Sequence, residues 1–411
     1  MSTYSHGAVY NPVGAAKDIK EPGPCCPRVF ISPPHYIQGP AVIESLGRYC
    51  AQILYAKKVG ILIPEFLNGL FGEVIAKSLA EAGVTGKTEM FGGIPSRQEI
   101  ARVGAAWKSE GIDAVVAVGG GSCADCGKGV AFDLKIHTVV VSTQSATDAP
   151  CSALSIIYTA EGAYEGGQVY PQSPNVVVVD TNIIAAAPRR SLISGFGDAL
   201  STYYEARTCW ENPKALTMCE ARPTATGFAI GEKSAQMLYD NALASLKAVD
   251  AKKPDDSLEM VVEANTLLSG IGFESGGLAA SHAVAQALSW VHSVHDNHLH
   301  GEMVSFGLLT MLCMEDTMGL PGRKEEMQKV GEFLQKVGLP ITWEQVHFDS
   351  SSQADWDTFI KVALQQWFCH NEPFSVTADI IKAAFTRADE FGRSLKDKHG
   401  DAPYQAIHKK K

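Results

Sequence analysis

The chain has 411 residues and a formal net charge of −10, with 45% hydrophobic and 19% charged residues. Its acidity argues against nucleic acids and anionic membranes as partners, because both bind basic surfaces. The densest apolar stretch, 176–187, is interrupted by Asp180 and Asn182, so no segment is predicted to span a membrane. The length suits two domains, and a small molecule is the expected partner.

The N-terminal region and the cysteines both favour the cytoplasm. Residues 1–24 match neither a secretory signal nor a transit peptide, since they contain Asp18 and Glu21 and no Arg. Ten cysteines at irregular spacing are typical of reduced thiols rather than of a disulfide framework. We interpret residues 1–27, which contain Gly and Pro and little periodicity, as an N-terminal arm without recognisable chemistry.

Residues 28–188 alternate short apolar runs with helical segments. Strands are predicted at 29–31, 59–63, 88–91, 115–118, 137–141 and 175–180, and helices at 41–53, 66–82 and 97–110. Residues 154–158 and 164–170 are predicted to pair as a hairpin. This alternation indicates βαβ units, and therefore an α/β nucleotide-binding domain with a parallel sheet whose ligands bind at the carboxyl ends of its strands.

Beyond Pro188 the apolar periodicity becomes helical. Helices are predicted at 198–209, 227–248, 258–272, 278–288, 301–318, 323–337, 355–366 and 377–394. Residues 189–411 are therefore predicted to form an all-α C-terminal domain. The cleft between the two domains is the expected ligand site.

Three consecutive glycines follow the predicted strand at 115–118 and precede a helical segment. Glycines let the backbone approach a ligand and leave the N–H groups of a helix start facing an anion, so this loop suits a phosphate. The sequence GGGS does not match the G-x-G-x-x-G dinucleotide fingerprint, and a plain βα turn explains it equally well. The hydroxyl residues of 142–158 leave a similar choice between ligand contacts and turn formation.

Cys123 and Cys126 form a C-x-x-C pair in the segment after the glycines. Redox or zinc chemistry would explain such a pair, but zinc needs a second pair of ligands nearby, and the sequence has none. We interpret the two cysteines as small residues on a helix.

A window of histidines suggests a metal site in the helical domain. Imidazole is the commonest metal ligand, and catalytic zinc takes three protein ligands with one position left open. Asp198, at the start of a predicted helix, is the candidate carboxylate ligand, although helix capping would explain it equally well. Five of the twelve histidines fall within this window: His282, His292, His295, His298 and His300.

Several motifs together resemble one enzyme family. They are GGGSCADCGK from residue 119, TDAPCSALSIIYT from 147, GFGDALSTYYEA from 195, ESGGLAASHAVAQAL from 274 and HGEMVSFG from 300. The combination resembles the glycerol dehydrogenases, which belong to the metal-dependent alcohol dehydrogenase superfamily together with dehydroquinate synthase. The resemblance covers residues 29–395. It implies NAD-dependent oxidation of glycerol, or of another short vicinal diol, and dihydroxyacetone as the product from glycerol.

The resemblance also implies roles for particular residues. Asp198, His282 and His300 would bind zinc, or iron with the same ligands, and would be catalytic together with Asp148. Asp148 would contact the glycerol hydroxyls beside an apolar wall at Phe273, while the metal lowers the pKa of the reacting hydroxyl. The implied NAD contacts are Gly120, Gly121, Ser122, Asp125, Thr143, Ala146, Thr147, Ser152, Leu154 and Tyr158. A homo-oligomer is implied as well, either an octamer or a smaller assembly.

One departure from the family concerns the adenosine ribose of the cofactor. The family usually has an acidic residue after the second strand, where this chain has Pro64 followed by Glu65. An acidic group there would repel the 2′-phosphate of NADP, so the choice between NAD and NADP stays open. The proton released by the reaction would leave through water or an imidazole, with His295 and His298 as candidates.

Three other functions are alternatives. A dehydroquinate synthase-like lyase and a glycerol-1-phosphate dehydrogenase both need Lys and Arg around an anionic substrate. No Lys or Arg lies between Gly272 and Glu302, although Arg189 or Arg190 could reach the cleft. The third alternative is non-catalytic nucleotide and metal binding, with the C-x-x-C pair as a redox switch.

Overall fold

A computed structural model describes residues 4–6 and 26–408 of the chain. Most of the predicted N-terminal arm therefore lies outside the described residues. Tyr4–His6 forms strand β1, which pairs in parallel with a strand of a small second sheet.

A six-stranded parallel sheet forms the centre of the first half of the chain. The strands are β2 (His35–Gly39), β3 (Lys58–Ile63), β4 (Thr85–Met90), β5 (Ala114–Gly119), β6 (His137–Ser142) and β9 (Val176–Asp180). Their order in the sheet is β2-β9-β6-β5-β3-β4, and every neighbouring pair is parallel. All residues of β5 and β9 are buried, as expected for a parallel sheet that is covered on both faces.

Helices cover both faces of this sheet. Helices α1 (Leu46–Ile53) and α2 (Glu65–Glu81) pack on one face, and α3 (Arg97–Trp107) and α4 (Gly121–Leu134) pack on the other. Because side chains alternate along a strand, β5 contributes to both cores. Val116 and Val118 lie in the first core, and Val115 and Ala117 lie in the second.

The small second sheet contains the predicted hairpin. Strands β7 (Leu154–Tyr158) and β8 (Tyr164–Val169) pair antiparallel, and β1 adds to the outer side of β8. The segment between β6 and β7 includes a 3₁₀ turn at Ala149–Cys151. This segment carries four of the ten predicted cofactor contacts, namely Thr143, Ala146, Thr147 and Ser152.

The second half of the chain is helical, and no β-strand follows Asp180 among the described residues. One continuous core runs through these helices and reaches Val177 and Val179 of the large sheet. The helices are α5 (Thr181–Ala186), α6 (Arg189–Glu211), α7 (Ala225–Asp250), α8 (Asp256–Glu263), α9 (Ser269–Gly276), α10 (Ala280–Leu288), α11 (His292–His295), α12 (His300–Thr317), α13 (Arg323–Val337), α14 (Gln353–Gln365), α15 (Ala378–His399) and α16 (Ala402–His408).

Two sequence predictions are wrong in detail. Residues 29–31 are not a strand: Arg28 makes a single bridge to Arg222, and Ile31 N donates to Ser275 Oγ at 3.0 Å, so this segment packs on the helical part. The predicted helix at 258–272 is divided by a π turn at Ala264–Leu268. A π turn inserts one extra residue into a helix and is frequent at functional sites.

Candidate metal and cofactor site

Three side chains from three helices meet where the two halves of the chain face each other. Asp198 lies within α6, His282 lies in α10, and His300 is the first residue of α12. Asp198 Oδ1 is 3.4 Å from His282 Nε2 and 3.4 Å from His300 Nε2. The side chain of Asp198 is 1% exposed, whereas that of His300 is 48% exposed, so the site opens to solvent on the His300 side.

This geometry fits a metal ion. Asp198 Oδ1 is buried and accepts no hydrogen bond from the described residues, although two imidazole nitrogens lie close to it. Two ligands that each lie about 2.1 Å from a tetrahedral zinc ion are about 3.4 Å apart, which matches both measured distances. The three atoms therefore have the spacing of ligands around a shared cation.

Electrostatics also favour a cation at this position. Burial alone would raise the pKa of Asp198, but the imidazoles of His300 and His282 lower it well below its usual range. Burial likewise opposes the charged form of His282, yet the carboxylates of Glu205 and Asp198 raise its pKa well above the ordinary value. Each shift reflects the attraction between carboxylates and imidazoles, and a cation bound between Asp198 and the two histidines would take the place of the imidazole protons.

Asp148 lies beside the three candidate ligands. Its backbone N–H donates to Asp198 Oδ2 at 3.3 Å, and its own Oδ2 accepts a hydrogen bond of 2.7 Å from Ser269 Oγ. Ser269 is in turn 2.9 Å from Thr202 Oγ1, so Asp148 is held by a chain of buried hydroxyls. Burial and the nearby Asp198 raise the pKa of Asp148 to about 7. Phe273, the predicted apolar wall, is buried one helical turn after Ser269 on α9.

The glycine loop lies directly against the segment that follows β6. A Cβ on Gly121 would be 3.4 Å from Thr147 Oγ1, and a Cβ on Gly120 would be 2.8 Å from Gln144 Nε2. Side chains at these positions would therefore fill the space between loop and segment. The loop leads into α4, whose first N–H groups suit a phosphate, and Ser122 at its start is exposed.

The other predicted cofactor residues differ in exposure. Ala146, Thr147, Leu154 and Tyr158 are half-buried, and Thr143 and Ser152 are buried. Asp125 is buried as well: its Oδ1 pairs with Lys128 Nζ at 2.9 Å, and its Oδ2 accepts from Ile156 N at 3.1 Å. The carboxylate of Asp125 therefore binds the backbone of β7, the first strand of the hairpin.

Sequence reasoning missed Lys128 and Asn265. Lys128 is 3% exposed and donates to Ala149 O at 3.0 Å and to Ser152 Oγ at 3.2 Å, which fixes the segment around the 3₁₀ turn. Asn265, in the π turn, donates to Ser145 O at 3.1 Å and to Leu192 O at 3.3 Å. It thereby connects the residues that follow β6 to α6. Lys128 follows Asp125 by three residues on one helix, a spacing that could have revealed the pair. No comparable signal marks Asn265.

The histidine window divides into separate groups. His282 and His300 join Asp198, whereas His292 and His295 are exposed. His298 is buried, with Nδ1 3.1 Å from Glu302 Oε2 and Nε2 2.8 Å from His347 Nδ1. Both of its ring nitrogens are therefore engaged.

The two arginines proposed to reach the cleft are also engaged. Arg190 binds both oxygens of Glu302, at 2.6 and 2.7 Å, and Arg189 pairs with Asp250. The C-x-x-C pair lies on α4, with Cys123 2% and Cys126 0% exposed. Burial raises the pKa of both thiols, which disfavours the redox switch.

Comparisons with known proteins agree with this architecture. The family model for iron-containing alcohol dehydrogenases matches residues 33–181. A glycerol dehydrogenase of Escherichia coli O6:H1 is 37% identical over 367 residues, which cover 89% of this chain and 98% of that protein. The chain belongs to the glycerol dehydrogenase family. The predicted family is thus confirmed, and with it an oxidoreductase.

Two further proteins are similar to this chain. A glycolaldehyde reductase of Halobacterium salinarum is 35% identical over 372 residues, covering 90% of this chain and 99% of that protein. The crystal structure of a probable glycerol dehydrogenase from Sinorhizobium meliloti 1021 has a TM-score of 0.82 at 34% identity, covering 89% of this chain and 99% of that one. The predicted fold class, a parallel α/β part followed by helices, is confirmed. Within residues 4–6 and 26–408, no helix has both the length and the apolarity to cross a membrane.

Proposed function

We propose that the chain oxidises glycerol to dihydroxyacetone with NAD⁺, at a zinc ion held by Asp198, His282 and His300. The observation that carries the proposal is that Asp198 Oδ1 lies 3.4 Å from both imidazole Nε2 atoms and accepts no hydrogen bond within the part of the chain that the structure describes. The relative named glycerol dehydrogenase, at 37% identity, supports glycerol as the substrate. Iron would fit the same three ligands, since imidazole and carboxylate bind both metals.

A bound zinc ion would supply positive charge that lowers the pKa of the secondary hydroxyl of the substrate. Asp148 borders this position, and its carboxylate accepts a hydrogen bond from the neighbouring hydroxyl and so orients the diol. The central carbon loses a hydride and its oxygen loses a proton, which leaves a ketone. Because His300 is the exposed ligand, the proton leaves through water on that side rather than through His295 or His298.

The glycine loop and the first N–H groups of α4 would hold the pyrophosphate of NAD⁺. Residues 143–152, together with Leu154 and Tyr158 of the hairpin, would position the cofactor, which would supply the hydride acceptor. Glu65 begins α2, separated from β3 by Pro64, and is exposed. A carboxylate there repels a 2′-phosphate, so NAD is the preferred cofactor.

A second candidate is the reduction of glycolaldehyde, which the similarity to the Halobacterium salinarum reductase favours. Glycolaldehyde also presents two neighbouring oxygens. The lyase and glycerol-1-phosphate alternatives are less suitable, because Arg189 and Arg190 are already paired with Asp250 and Glu302. A neutral substrate does not need those charges.

Steady-state kinetics with zinc-loaded protein test the proposal. NAD⁺ and NADP⁺ are each offered with glycerol, ethylene glycol and glycerol 1-phosphate, and glycolaldehyde is offered with NADH. We expect the highest kcat/KM for glycerol with NAD⁺. A preference for glycolaldehyde would support the second candidate, and activity confined to glycerol 1-phosphate would contradict both. Size-exclusion chromatography with light scattering tests the homo-oligomer, which stays a prediction.

A further inference from the structure

Glu205 makes three hydrogen bonds around the candidate ligand His282. It lies on α6 seven residues after Asp198, two helical turns along the same face, and is fully buried. Its Oε2 is 2.5 Å from His282 Nδ1. Its Oε1 accepts from the backbone N–H of Ala279 at 2.8 Å and from that of His282 at 2.9 Å.

These contacts fix both the main chain and the ring of His282. The first N–H groups of a helix have no partner within it, and Glu205 satisfies two of those at the start of α10. A carboxylate can only accept hydrogen bonds, so Nδ1 must carry the proton that it shares with Glu205. Nε2, the nitrogen 3.4 Å from Asp198 Oδ1, is then the one that exchanges its proton for a metal ion.

A second buried carboxylate provides an internal comparison. Glu372 Oε1 accepts from the backbone N–H of Ala280 at 3.2 Å, so it caps the same helix. The described contacts of Glu372 include none to the His282 ring. Burial raises the pKa of Glu372 well above its usual range, so glutamine is a close mimic of its neutral form.

We propose that Glu205 is a positioning residue that sets the metal affinity of the site by holding the His282 ring with its proton on Nδ1. The proposal rests on the metal site described under the proposed function. Helix α6 then supplies both a ligand, Asp198, and the group that orients a second ligand. Removing such a partner of a metal-binding histidine typically weakens metal binding by about 10–100-fold.

The test compares Glu205→Gln with Glu372→Gln in the full-length protein. The Glu205→Gln amide oxygen can still accept the two backbone bonds, but its NH₂ group now faces Nδ1. This favours a proton on Nε2, where it competes with the metal. Zinc dissociation constants are measured by competition with a chromophoric chelator. We expect about 10–100-fold weaker binding for Glu205→Gln and a change below about 3-fold for Glu372→Gln.

Wild-type affinity in Glu205→Gln would overturn the role of Glu205, and so would an equal loss in both variants, which would indicate capping alone. If Glu205→Gln fails to fold, ¹⁵N NMR of the zinc-loaded wild type still tests the proposal, because it distinguishes the protonated ring nitrogen of His282 from the metal-bound one. We expect a proton on Nδ1 of His282 and the metal on Nε2, and the opposite arrangement would overturn the proposal. Absence of zinc binding in the wild type itself would instead refute the metal site, and with it the proposed function.

Discussion

Glu274 should make the stability of this protein fall as the pH rises. It follows Phe273 on α9, is 3% exposed, and its Oε1 accepts from Ala153 N at 2.5 Å, so it joins α9 to the residue that precedes β7. Burial raises its pKa to about 8, from an ordinary value of 4.5, although the Ala153 N–H and Lys128 oppose the shift. At neutral pH the folded protein therefore holds a proton that the unfolded chain releases.

The sign and size of the effect follow from this difference. Because the folded-state pKa is the higher one, the stabilisation is complete below about pH 4.5 and is lost as the pH rises through about 8. One pKa unit corresponds to about 1.4 kcal/mol, so the free energy of unfolding falls by about 2 kcal/mol between pH 6 and pH 8 from this group alone. Glu274→Gln keeps a neutral acceptor for Ala153 N and should remove this contribution.

Urea unfolding at pH 6, 7 and 8, followed by tryptophan fluorescence, measures the effect in the wild type and in Glu274→Gln. We expect the wild type to lose about 2 kcal/mol more than the variant over this range. Glu73→Gln, at an exposed position on α2, should keep the wild-type pH dependence. Parallel pH dependences of the wild type and Glu274→Gln would refute the reasoning.

Three further substitutions test the site and its support. Ser269→Ala removes the hydroxyl that holds Asp148, so we expect KM for glycerol to rise about 5–30-fold, in line with a loss of about 1–2 kcal/mol, with zinc content unchanged by metal analysis. Asp198→Asn removes the charged ligand, and zinc content and turnover should fall together. Arg190→Met leaves the buried carboxylate of Glu302 without its guanidinium, and urea unfolding should show a destabilisation of about 3 kcal/mol, the low end for such pairs because two histidines still contact it.

Controls and contrary outcomes are available for each substitution. Arg189→Met breaks an exposed pair with Asp250 and should cost at most about 1 kcal/mol, so equal losses at 189 and 190 would contradict the buried role of Arg190. Ser281→Ala removes a buried hydroxyl that donates to Val304 O, and it should leave KM unchanged. Full activity with full zinc content in Asp198→Asn would exclude that residue as a ligand.

The strands and helices could largely be predicted because local patterns determine them. Alternate residues of β5 serve two cores, and the apolar run with three following glycines indicates both the strand and the start of α4. The strand predicted at residues 29–31 is wrong because an apolar run of three residues does not specify its partner, and here the partner is the helical part. The π turn at Ala264–Leu268 has no sequence signature of its own.

The candidate site was less predictable than the fold. Spacing alone could not choose among five histidines or decide between ligand and cap for Asp198, and the assignment depended on family resemblance. Glu205 lies in the same motif as Asp198 but has no role until α10 is packed against α6. Contacts between distant parts of the chain, such as that of Lys128 with Ala149, depend on tertiary packing that periodicity does not encode.

The most direct test of the central claim is to titrate zinc into metal-free protein while NADH formation from glycerol is followed at the nicotinamide absorbance. A metal site formed by Asp198, His282 and His300 predicts no turnover without metal and a linear rise that ends at one zinc ion per chain. Full turnover in the metal-free protein would contradict the account.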